Sequence, residues 1–442
     1  MPSWVEHAVF WHVYPLGFLC AERSAAEAAA SGGDAVQHRL PRLLPWLDHA
    51  VDLGASALLL GPVFASQTHG YDTTDHLRID PRLGDDADFD ALVAAAHERG
   101  LRVVLDGVFN HVGQSFPTFQ RALAEGPGSD AARWFRLHWP EGGGAPTHDD
   151  FEGHSALVAL HHDEPAVADH VAAVMTHWLD RGVDGWRLDA ACAVPPAFWA
   201  SVLPRVRERH SDAYVVGEVV HGDYAGFVAA SGVDAVTQYQ LWKALWSSLN
   251  DRNAFELAHA LERHSGFAEA FAPMTFVGNH DVTRIASRLT DVRHLPHALA
   301  VLMTVGGTPS VYAGDDHGFR GVKEDRAGGD DAVRPAFPAT PAELSPLGEP
   351  VFRLHQQLIR LRRRHPWLHR ASTTTLVLTN RLFAYAARSG GETLVVALST
   401  DDAPTRVELP LAGRVAAGDA TASADGRAAD LPPHGWAIVE PA

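Results

Sequence analysis

The sequence predicts a barrel of eight parallel β-strands that alternate with helices, with a segment inserted after the third strand and an antiparallel β-sandwich at the C-terminal end. Two observations predict this fold. Apolar, strand-like runs alternate with helical patterns through most of the chain, which is typical of parallel β/α units. Several of these runs also end in Asp, Glu, His or Arg, as expected where a barrel builds a site at the carboxyl ends of its strands.

The elements follow one another regularly along the chain, and the first two predicted helices end at Gly54 and Gly100. The predicted strands cover 7–16, 55–63, 102–108, 184–189, 213–218, 233–237, 274–278 and 308–312. The predicted helices cover 35–53, 87–99, 165–181 and 350–364, and the Ala-rich stretch at 25–30 is expected to be a loop or a helix end.

Two segments depart from the alternation. The first contains GPGSD and EGGGAP and is too long for an ordinary loop, so we expect a small subdomain over the barrel mouth. The second follows His365-Pro366 and alternates in short runs such as RLFAYAA and TLVVALS, which is typical of an antiparallel sandwich. We therefore expect a catalytic barrel over 1–111 and 163–370, an inserted subdomain over 112–162 and a C-terminal β-sandwich over 371–442.

The charge of the chain argues against a nucleic-acid partner. The 442 residues include 54 acidic and 36 basic side chains, for a net charge of −18. Proteins that bind phosphate backbones need clustered Lys and Arg, and the run RLRRRHP at 360–366 is expected to be the solvated end of a helix. Uncharged sugars are compatible with such an acidic surface.

The N-terminus and the cysteine content predict a cytoplasmic protein. Only Cys20 and Cys192 occur, and we expect two free thiols in a reducing compartment rather than a disulfide. No secretory leader is evident. No apolar run approaches the roughly 18–20 residues that span a bilayer, so no membrane partner is expected.

Polar side chains at four strand ends carry the predicted chemistry. They are Asp106 and His111, Arg187 and Asp189, Glu218, and the run Asn279-His280-Asp281. Arg187 and Asp189 share one face because strand side chains repeat every two residues. A buried carboxylate needs a positive partner to stay ionised, whereas a Glu among apolar neighbours has a raised pKa that suits a general acid.

Each of these groups has a structural explanation when it is taken alone. Asp106 with His111 is compatible with capping of a strand end, and Arg187 with Asp189 is compatible with a structural salt bridge. Coincidence does not readily explain why such structural pairs would occur on several different strands at once. Together the groups therefore predict an active site.

The ordered motifs resemble those of the α-amylase family of glycoside hydrolases over nearly the whole chain. HGYDTTDHLRIDPRLG at 69–84 is similar to the family's loop after the second strand, and GTPSVYAGD at 307–315 resembles its eighth strand. DGVFNH, GWRLDA, the Glu of GEVV and FVGNHD resemble its four main signature regions. Within the family, DGVFNHVG and DAYVVGEVVHG most resemble the group of cyclomaltodextrinases, neopullulanases and maltogenic amylases.

The resemblance implies a role for each matching residue. Asp189 is implied as the nucleophile, Glu218 as the acid and base, and Asp281 as the group that holds the hydroxyls of the reacting sugar. The implied sugar-contacting and supporting residues are Tyr71, Asp106, His111, Arg187 and His280, with Tyr71 stacking on the sugar. Retention requires two carboxyl groups about 5–5.5 Å apart, and an Arg beside Asp189 but not beside Glu218 is expected to separate their pKa values.

Some positions depart from the family pattern. Cys192-Ala193 stand where calcium-binding members often place Lys-His, and Leu16-Gly17 stand where an Asp-Arg pair is expected. No cofactor is therefore expected to be required, and a structural calcium ion is doubtful. Arg334 resembles a sugar contact in a loop whose spacing differs by one residue. The run 161–164 lacks the spacing of a helical metal site, so no metal is expected there.

Three kinds of function remain open at this point. The first is a retaining hydrolase of α-glucosidic, mainly α-1,4, bonds in maltooligosaccharides, cyclic or related short glucans. The second is a transglycosylase or isomerase on the same scaffold, and the third is a non-catalytic relative that binds sugar or a partner chain. Metal-assisted hydrolysis is a further alternative. We expect an oligosaccharide substrate and either a monomer or a homodimer.

Overall fold

The computed structural model describes residues 1–30, 36–326 and 328–442. Its central element is one sheet of eight parallel strands, which we number in chain order. They are β1 (Phe10–Val13), β2 (Ala57–Leu60), β3 (Arg102–Gly107), β4 (Gly185–Leu188), β5 (Tyr214–Gly217), β6 (Ala235–Val236), β7 (Met274–Phe276) and β8 (Thr308–Tyr312). All eight predicted strands are present; seven are shorter than the apolar run that predicted them, and β8 has the predicted bounds.

The sheet closes into a barrel. Strands β1 to β6 pair in sequence order, β8 pairs with β1, and β7 pairs with β8. A parallel bridge between Thr237 and Met274 joins the end of β6 to the start of β7. The strand residues are almost wholly buried, because the barrel interior and the outer helices cover both of their faces.

Helices surround the barrel. Those that follow the strands are Leu44–Leu53, Asp86–Glu98, Pro165–Asp180, Pro196–Arg207, Tyr224–Ser231, Tyr239–Asp251, Phe255–Ala270, Ile285–Arg288, Leu295–Thr304 and Glu349–Arg364. Two further short helices are Pro15–Phe18 and Ala25–Ala30, so the Ala-rich stretch is a helix. Among the described residues no helix has both the length and the apolar character to cross a membrane.

The first large helix differs from its prediction over 35–53. It begins at Leu44 after a 3₁₀ turn over Leu40–Leu43. Residue 35 lies outside the described residues. Proline has no backbone N–H to donate, so it is tolerated in the first turn of a helix but not in its interior. Both elements have a proline in their first turn. The helix ends at Gly54 as predicted, where a φ of 99° is left-handed and a Cβ would meet Ile359.

The chain between β3 and β4 forms small elements of its own beside the barrel mouth. They are the helix Pro117–Glu125, a three-stranded antiparallel sheet of His111–Gly113, His154–Ala159 and Asp150–Phe151, and the pair Leu137–His138 with Thr147–His148. His111 thus belongs to the first strand of this small sheet. A hairpin of Phe64–Ser66 and Thr73–Ile79 follows β2.

The C-terminal region is antiparallel, as predicted. One sheet has the order Ser372–Leu378, Leu382–Ser389, Glu392–Ser399, Trp436–Pro441 and Gly413–Gly418, and the other has Thr405–Glu408, Ala428–Leu431 and Thr421–Ala422. Apolar side chains of the two sheets, among them Ala384, Val395, Val407 and Leu431, form one buried cluster between them. Two sheets that share such a core are a β-sandwich.

The basic run at 360–366 is not a fully solvated helix end, so that part of the prediction is wrong. Arg362 is buried and donates to the carbonyl oxygens of Met303, Val305 and Gly307. A guanidinium suits this place because carbonyl groups at a helix C-terminus lack partners within the helix. Both cysteine thiols are free, as predicted, and both residues are exposed.

Candidate active site

The predicted site residues converge at the carboxyl end of the barrel. Asp106 lies within β3 and Arg187 within β4, whereas Asp189 and Glu218 immediately follow β4 and β5. Arg187 pairs in register with Asp106 on one side and with Val216 on the other. The three neighbouring strands therefore bring a cation and three carboxyl groups together.

One guanidinium contacts all three carboxyl groups. Nη1 of Arg187 lies 2.8 Å from both oxygens of Asp106 and 2.9 Å from Oδ1 of Asp189. Its Nη2 lies 2.7 Å from Oε1 of Glu218. The prediction that Arg187 lies beside Asp189 but not beside Glu218 is therefore wrong. The side chain projects between two strands, and its several donors reach both of them.

Burial and charge act in opposite directions on these acids. Burial raises the pKa of Asp189 and of Glu218, and Arg187 opposes that rise. Burial also raises the pKa of Asp106 to about 8, against the same opposition from Arg187. Because one cation faces three buried carboxyl groups, the pKa of each of them lies above its usual range.

Glu218 is held by three donors. Besides Arg187, the backbone N–H of Ala190 donates to Oε2 at 3.0 Å, and the hydroxyl of Tyr239 donates to Oε1 at 3.0 Å. The side-chain amide of Asn279 in turn donates to the Tyr239 hydroxyl at 2.9 Å. Ala190 adopts a left-handed φ of 44°, a strained conformation for a residue with a Cβ, and its N–H contacts Glu218.

Asp281 lies in a different charge environment. Its Oδ1 accepts from Nη2 of Arg334 at 2.7 Å, and its Oδ2 lies 2.9 Å from Nε2 of His280. Burial by itself would raise the pKa of Asp281, but His280, Arg334 and Arg187 together hold it well below the usual range. Asp281 is therefore ionised, and its side chain remains 30% exposed at the cleft.

His280 is enclosed by aromatic rings. The rings of Tyr14 and Tyr71 lie parallel to its imidazole, with centroids 5.7 and 5.5 Å away. The Tyr71 hydroxyl contacts Nε2 of His280 and donates to Oδ2 of Asp106 at 3.0 Å. Burial lowers the pKa of His280, and the neighbouring Asp281 opposes that fall.

Arg334 joins the loop after β8 to this part of the site. Its Nε donates to the carbonyl oxygen of His280 at 2.9 Å, and its guanidinium lies 4.7 Å from the centroid of the Tyr14 ring. Asp330 accepts from the same Nη2 at 3.1 Å. The side chain is only 10% exposed, so its position is set by contacts within the protein.

His111 lies behind Tyr71, and both of its ring nitrogens already have partners. Nε2 donates to the carbonyl oxygen of Tyr71 at 3.0 Å, and Nδ1 accepts from the Asn110 amide at 3.1 Å. Its ring stacks on Phe151. Burial lowers the pKa of His111 to about 4, which keeps the imidazole neutral and compatible with this pair of bonds.

Sequence reasoning missed Tyr239, Asn279 and Tyr14 as members of the site. Tyr239 lies three residues after β6, and Tyr14 directly follows β1. The rule that identified Asp189 and Glu218, a polar side chain just past a barrel strand, applies to both tyrosines. Asn279 stands in the motif that supplied His280 and Asp281, but no role had been attached to it.

The arrangement provides the groups for a reaction with two carboxyls. One guanidinium contacts both Asp189 and Glu218, and Asp281 lies near enough to raise the pKa of both. Among the described residues, three groups of side chains are close enough to hold a metal ion, and none includes Asp189, Glu218 or Asp281. In the run 161–164, His162 instead donates to the carbonyl oxygen of Phe109.

Known proteins resemble this chain in both sequence and fold. Residues 43–339 match the family model for the α-amylase catalytic domain. A cyclomaltodextrinase of a Bacillus species is 30% identical over 91% of this chain and 74% of its own length. Neopullulanase 2 of Thermoactinomyces vulgaris is 31% identical over 82% of this chain and 64% of its own length.

Solved structures agree over the whole chain. The debranching enzyme of Nostoc punctiforme superimposes with a TM-score of 0.83 and 26% identity, covering 100% of this chain and 99% of the other. The cyclic α-maltosyl-(1→6)-maltose hydrolase of Arthrobacter globiformis gives 0.82 and 26%, covering 99% of each. The chain therefore belongs to the α-amylase family and is a glycosidase of that family.

Proposed function

We propose that the protein hydrolyses α-glucosidic bonds, mainly α-1,4, of short glucans with retention of the anomeric configuration. The observation that carries this proposal is the shared guanidinium of Arg187, which holds Asp189 and Glu218 together while Asp281 is ionised separately. The names of the relatives suggest the substrate class: linear maltooligosaccharides, cyclic glucans or related short α-glucans.

In the first step, an oxygen of Asp189 attacks the anomeric carbon while Glu218 gives its proton to the leaving glycosidic oxygen. In the second step, Glu218 takes a proton from water, and the resulting hydroxide oxygen displaces Asp189. Glu218 must be protonated before the first step, and burial together with Asp189 and Asp281 raises its pKa in that sense. Asp281 accepts bonds from sugar hydroxyls, and these strengthen as positive charge develops on the ring.

The remaining residues position these three acids and the sugar. Arg187 orients Asp189 and Glu218, and Asp106 anchors Arg187 from the opposite side. Tyr71 and His280 form the wall against which the reacting sugar stacks and bonds. Arg334 holds Asp281. His111 supports the Tyr71 backbone, because His111 would have to give up its bond to the Tyr71 carbonyl oxygen in order to bind a sugar hydroxyl.

The leaving saccharide must lie on the side of Glu218, because Glu218 protonates its oxygen. A groove of about 410 Å³ is lined by Tyr239, the residue that donates to Glu218. Its wall includes Val220, Tyr239 and Trp242, with Lys243 and Arg263 at its polar rim. Apolar rings beside polar groups suit a sugar. The same groove makes transglycosylation the second candidate function, because an acceptor sugar held there competes with water.

The proposed chemistry uses side chains alone, so we propose that no cofactor is needed. We also propose a cytoplasmic protein, supported by the 29% identity to a Bacillus subtilis relative named intracellular maltogenic amylase. A monomer or a homodimer is expected.

The test is to incubate the protein with linear, cyclic and branched glucosides and to identify the products. We expect new reducing ends from short α-1,4-linked glucans and none from the Glu218→Gln variant. Glu262→Gln, at an 84% exposed side chain, is the matched control and should behave as the wild type. Longer or rearranged sugars as main products would favour transglycosylation, and an inactive wild type over the whole panel would contradict the proposal.

A further inference from the structure

A second group of polar side chains lies between the first and last large helices of the barrel. It consists of His49, on the helix Leu44–Leu53, and Asp316 with His317, in the 3₁₀ turn Asp315–His317 after β8. One ligand atom from each residue lies within 4.8 Å of the other two. The side chains are 6%, 2% and 8% exposed, respectively. We call these three residues the His49 cluster.

The carboxylate of this cluster has no strong cation beside it. Oδ2 of Asp316 lies 2.7 Å from Nε2 of His49 and 3.5 Å from Nδ1 of His317. Its Oδ1 accepts from the Gly314 N–H at 2.7 Å. No Lys or Arg of the described chain forms an ion pair with it. The adjacent Asp315, by contrast, pairs with Arg284 at 2.8 Å. A buried carboxylate without such a partner needs positive charge from elsewhere.

Two imidazole nitrogens at the cluster are buried and lack hydrogen-bond partners in the described part of the chain. They are Nδ1 of His317 and Nε2 of the neighbouring His355. His355 Nδ1 donates to the carbonyl oxygen of Val351, so its Nε2 carries a free lone pair. Buried nitrogens are normally satisfied, and a free lone pair beside a carboxylate is what a metal ion uses.

The rings are also held in place. Phe352 packs on His49 and on His317, with ring centroids 4.9 Å apart in each case. The Gly314 N–H fixes the other oxygen of Asp316. Such supporting contacts orient ligands before a metal binds, which lowers the cost of assembling the site.

We propose that the His49 cluster binds one divalent transition-metal ion, for which Zn²⁺ has the best-matched chemistry. Two imidazoles and one carboxylate suit Zn²⁺ and its neighbours, whereas Ca²⁺ and Mg²⁺ need oxygen ligands. Ligand atoms of a tetrahedral zinc ion lie about 3.3 Å apart, and the separations of 2.7 and 3.5 Å bracket that value. Water completes the coordination.

The metal would join the first and the last β/α units of the barrel. It would replace the proton in the His49–Asp316 hydrogen bond, so binding would release a proton. This role is structural, because none of the ligands belongs to the candidate active site. It is therefore independent of the proposed glycosidase activity.

A competing cluster provides the control. Asp291, His294 and His434 also lie close together, but Arg293 already pairs with Asp291 at 2.6 Å. Its carboxylate charge is therefore compensated, and we expect no tight metal binding there. His294→Gln is the matched control for His317→Gln, since each removes one imidazole from a histidine–aspartate cluster.

The test begins with the full-length protein, dialysed against a chelator and titrated with Co²⁺ and, separately, with Zn²⁺. We expect one equivalent of each metal, the intense visible absorption of tetrahedral Co²⁺, and a higher melting temperature with Zn²⁺. His317→Gln and Asp316→Asn should each lose the absorption and at least tenfold in Zn²⁺ affinity. His294→Gln should retain both.

Two results would overturn the proposal. One is a wild-type protein that takes up no Co²⁺ and shows no shift in melting temperature with Zn²⁺. The other is binding that persists in His317→Gln and Asp316→Asn but disappears in His294→Gln. Circular dichroism of each variant establishes whether it is folded. Where a variant does not fold, the wild-type titration still tests whether the protein binds a metal ion.

Discussion

Two buried arginines near the carboxyl ends of barrel strands differ in how their charge is balanced. Arg284 has a single acidic partner, Asp315 at 2.8 Å, and its other donors reach the carbonyl oxygens of Ala313 and Val333. Arg187 contacts three carboxyl groups. The first arrangement neutralises charge and links loops, whereas the second leaves the acids in excess.

The difference separates a structural contact from a chemical site. A one-to-one buried pair matches one acid with one cation, although burial still raises the pKa of Asp315 to about 6. Three acids on one guanidinium stay coupled, so that one of them holds a proton at a pH where an isolated carboxyl would have lost it. Crowding three acids together destabilises the site, as is common where groups are arranged for function.

The largest expected effect is on turnover. Asp189→Ala removes the proposed nucleophile, and we expect turnover to fall by about four orders of magnitude or more while the fold is retained. The fold should survive because the change removes one of three crowded negative charges. Release of reducing ends and the melting temperature measure the two outcomes. Near-normal turnover in this variant would contradict the assignment of Asp189.

The second effect is on stability. Arg284→Met leaves the buried Asp315 without its cation, and we expect the free energy of unfolding to fall by about 3–5 kcal/mol. The double variant Arg284→Met with Asp315→Asn should recover part of that loss, because no buried charge then remains unpaired. Urea unfolding of both variants tests this. A loss below about 1 kcal/mol for the single variant would show that Arg284 is not the balancing charge.

The third effect concerns the pH dependence of stability at the crowded site. Burial raises the pKa of Asp106 to about 8 in the folded protein, against about 4 when unfolded. The folded state therefore binds the proton more tightly, so this group's contribution to stability is greatest below about pH 4 and falls as the pH rises towards 8.

Asp106→Asn should remove that contribution. Between pH 5 and 8 the wild type should lose more free energy of unfolding than the variant, as measured by urea unfolding at both pH values. Asp52→Asn, at an exposed side chain, is the control and should follow the wild type. Equal slopes for wild type and Asp106→Asn would mean that the three acids do not share a proton in this way.

The smallest expected effect is a shift in the pH profile. The Tyr239 hydroxyl donates to Glu218 and so favours its ionised form. Tyr239→Phe should therefore raise the pKa of Glu218 and move the alkaline limb of kcat/KM upward by about 1 pH unit. Tyr214→Phe, which removes a buried hydroxyl without a hydrogen-bond partner among the described residues, should leave the profile unchanged. A downward shift would exclude Tyr239 as a donor to the acid.

Much of the fold was predictable from local sequence patterns. Alternation of apolar runs with helical periods indicates parallel β/α units regardless of what each element later contacts, and all eight strands appear where those runs lie. Asp106, Arg187, Asp189 and Glu218 were found because a polar side chain at the end of an apolar strand is itself a local pattern. The lengths of seven strands were overestimated, since an apolar run continues into buried residues beyond the strand, such as Tyr14 and Pro15 after β1.

Contacts between strands were decided only by the tertiary structure. The sequence places Arg187 two residues from Asp189, but its contact with Glu218 depends on how β4 and β5 pair. The same holds for Tyr239, which reaches Glu218 from the start of the helix after β6, and for Arg362, whose carbonyl partners lie more than fifty residues away. Periodicity along a strand determines which way a side chain points, whereas barrel closure and register determine what it meets there.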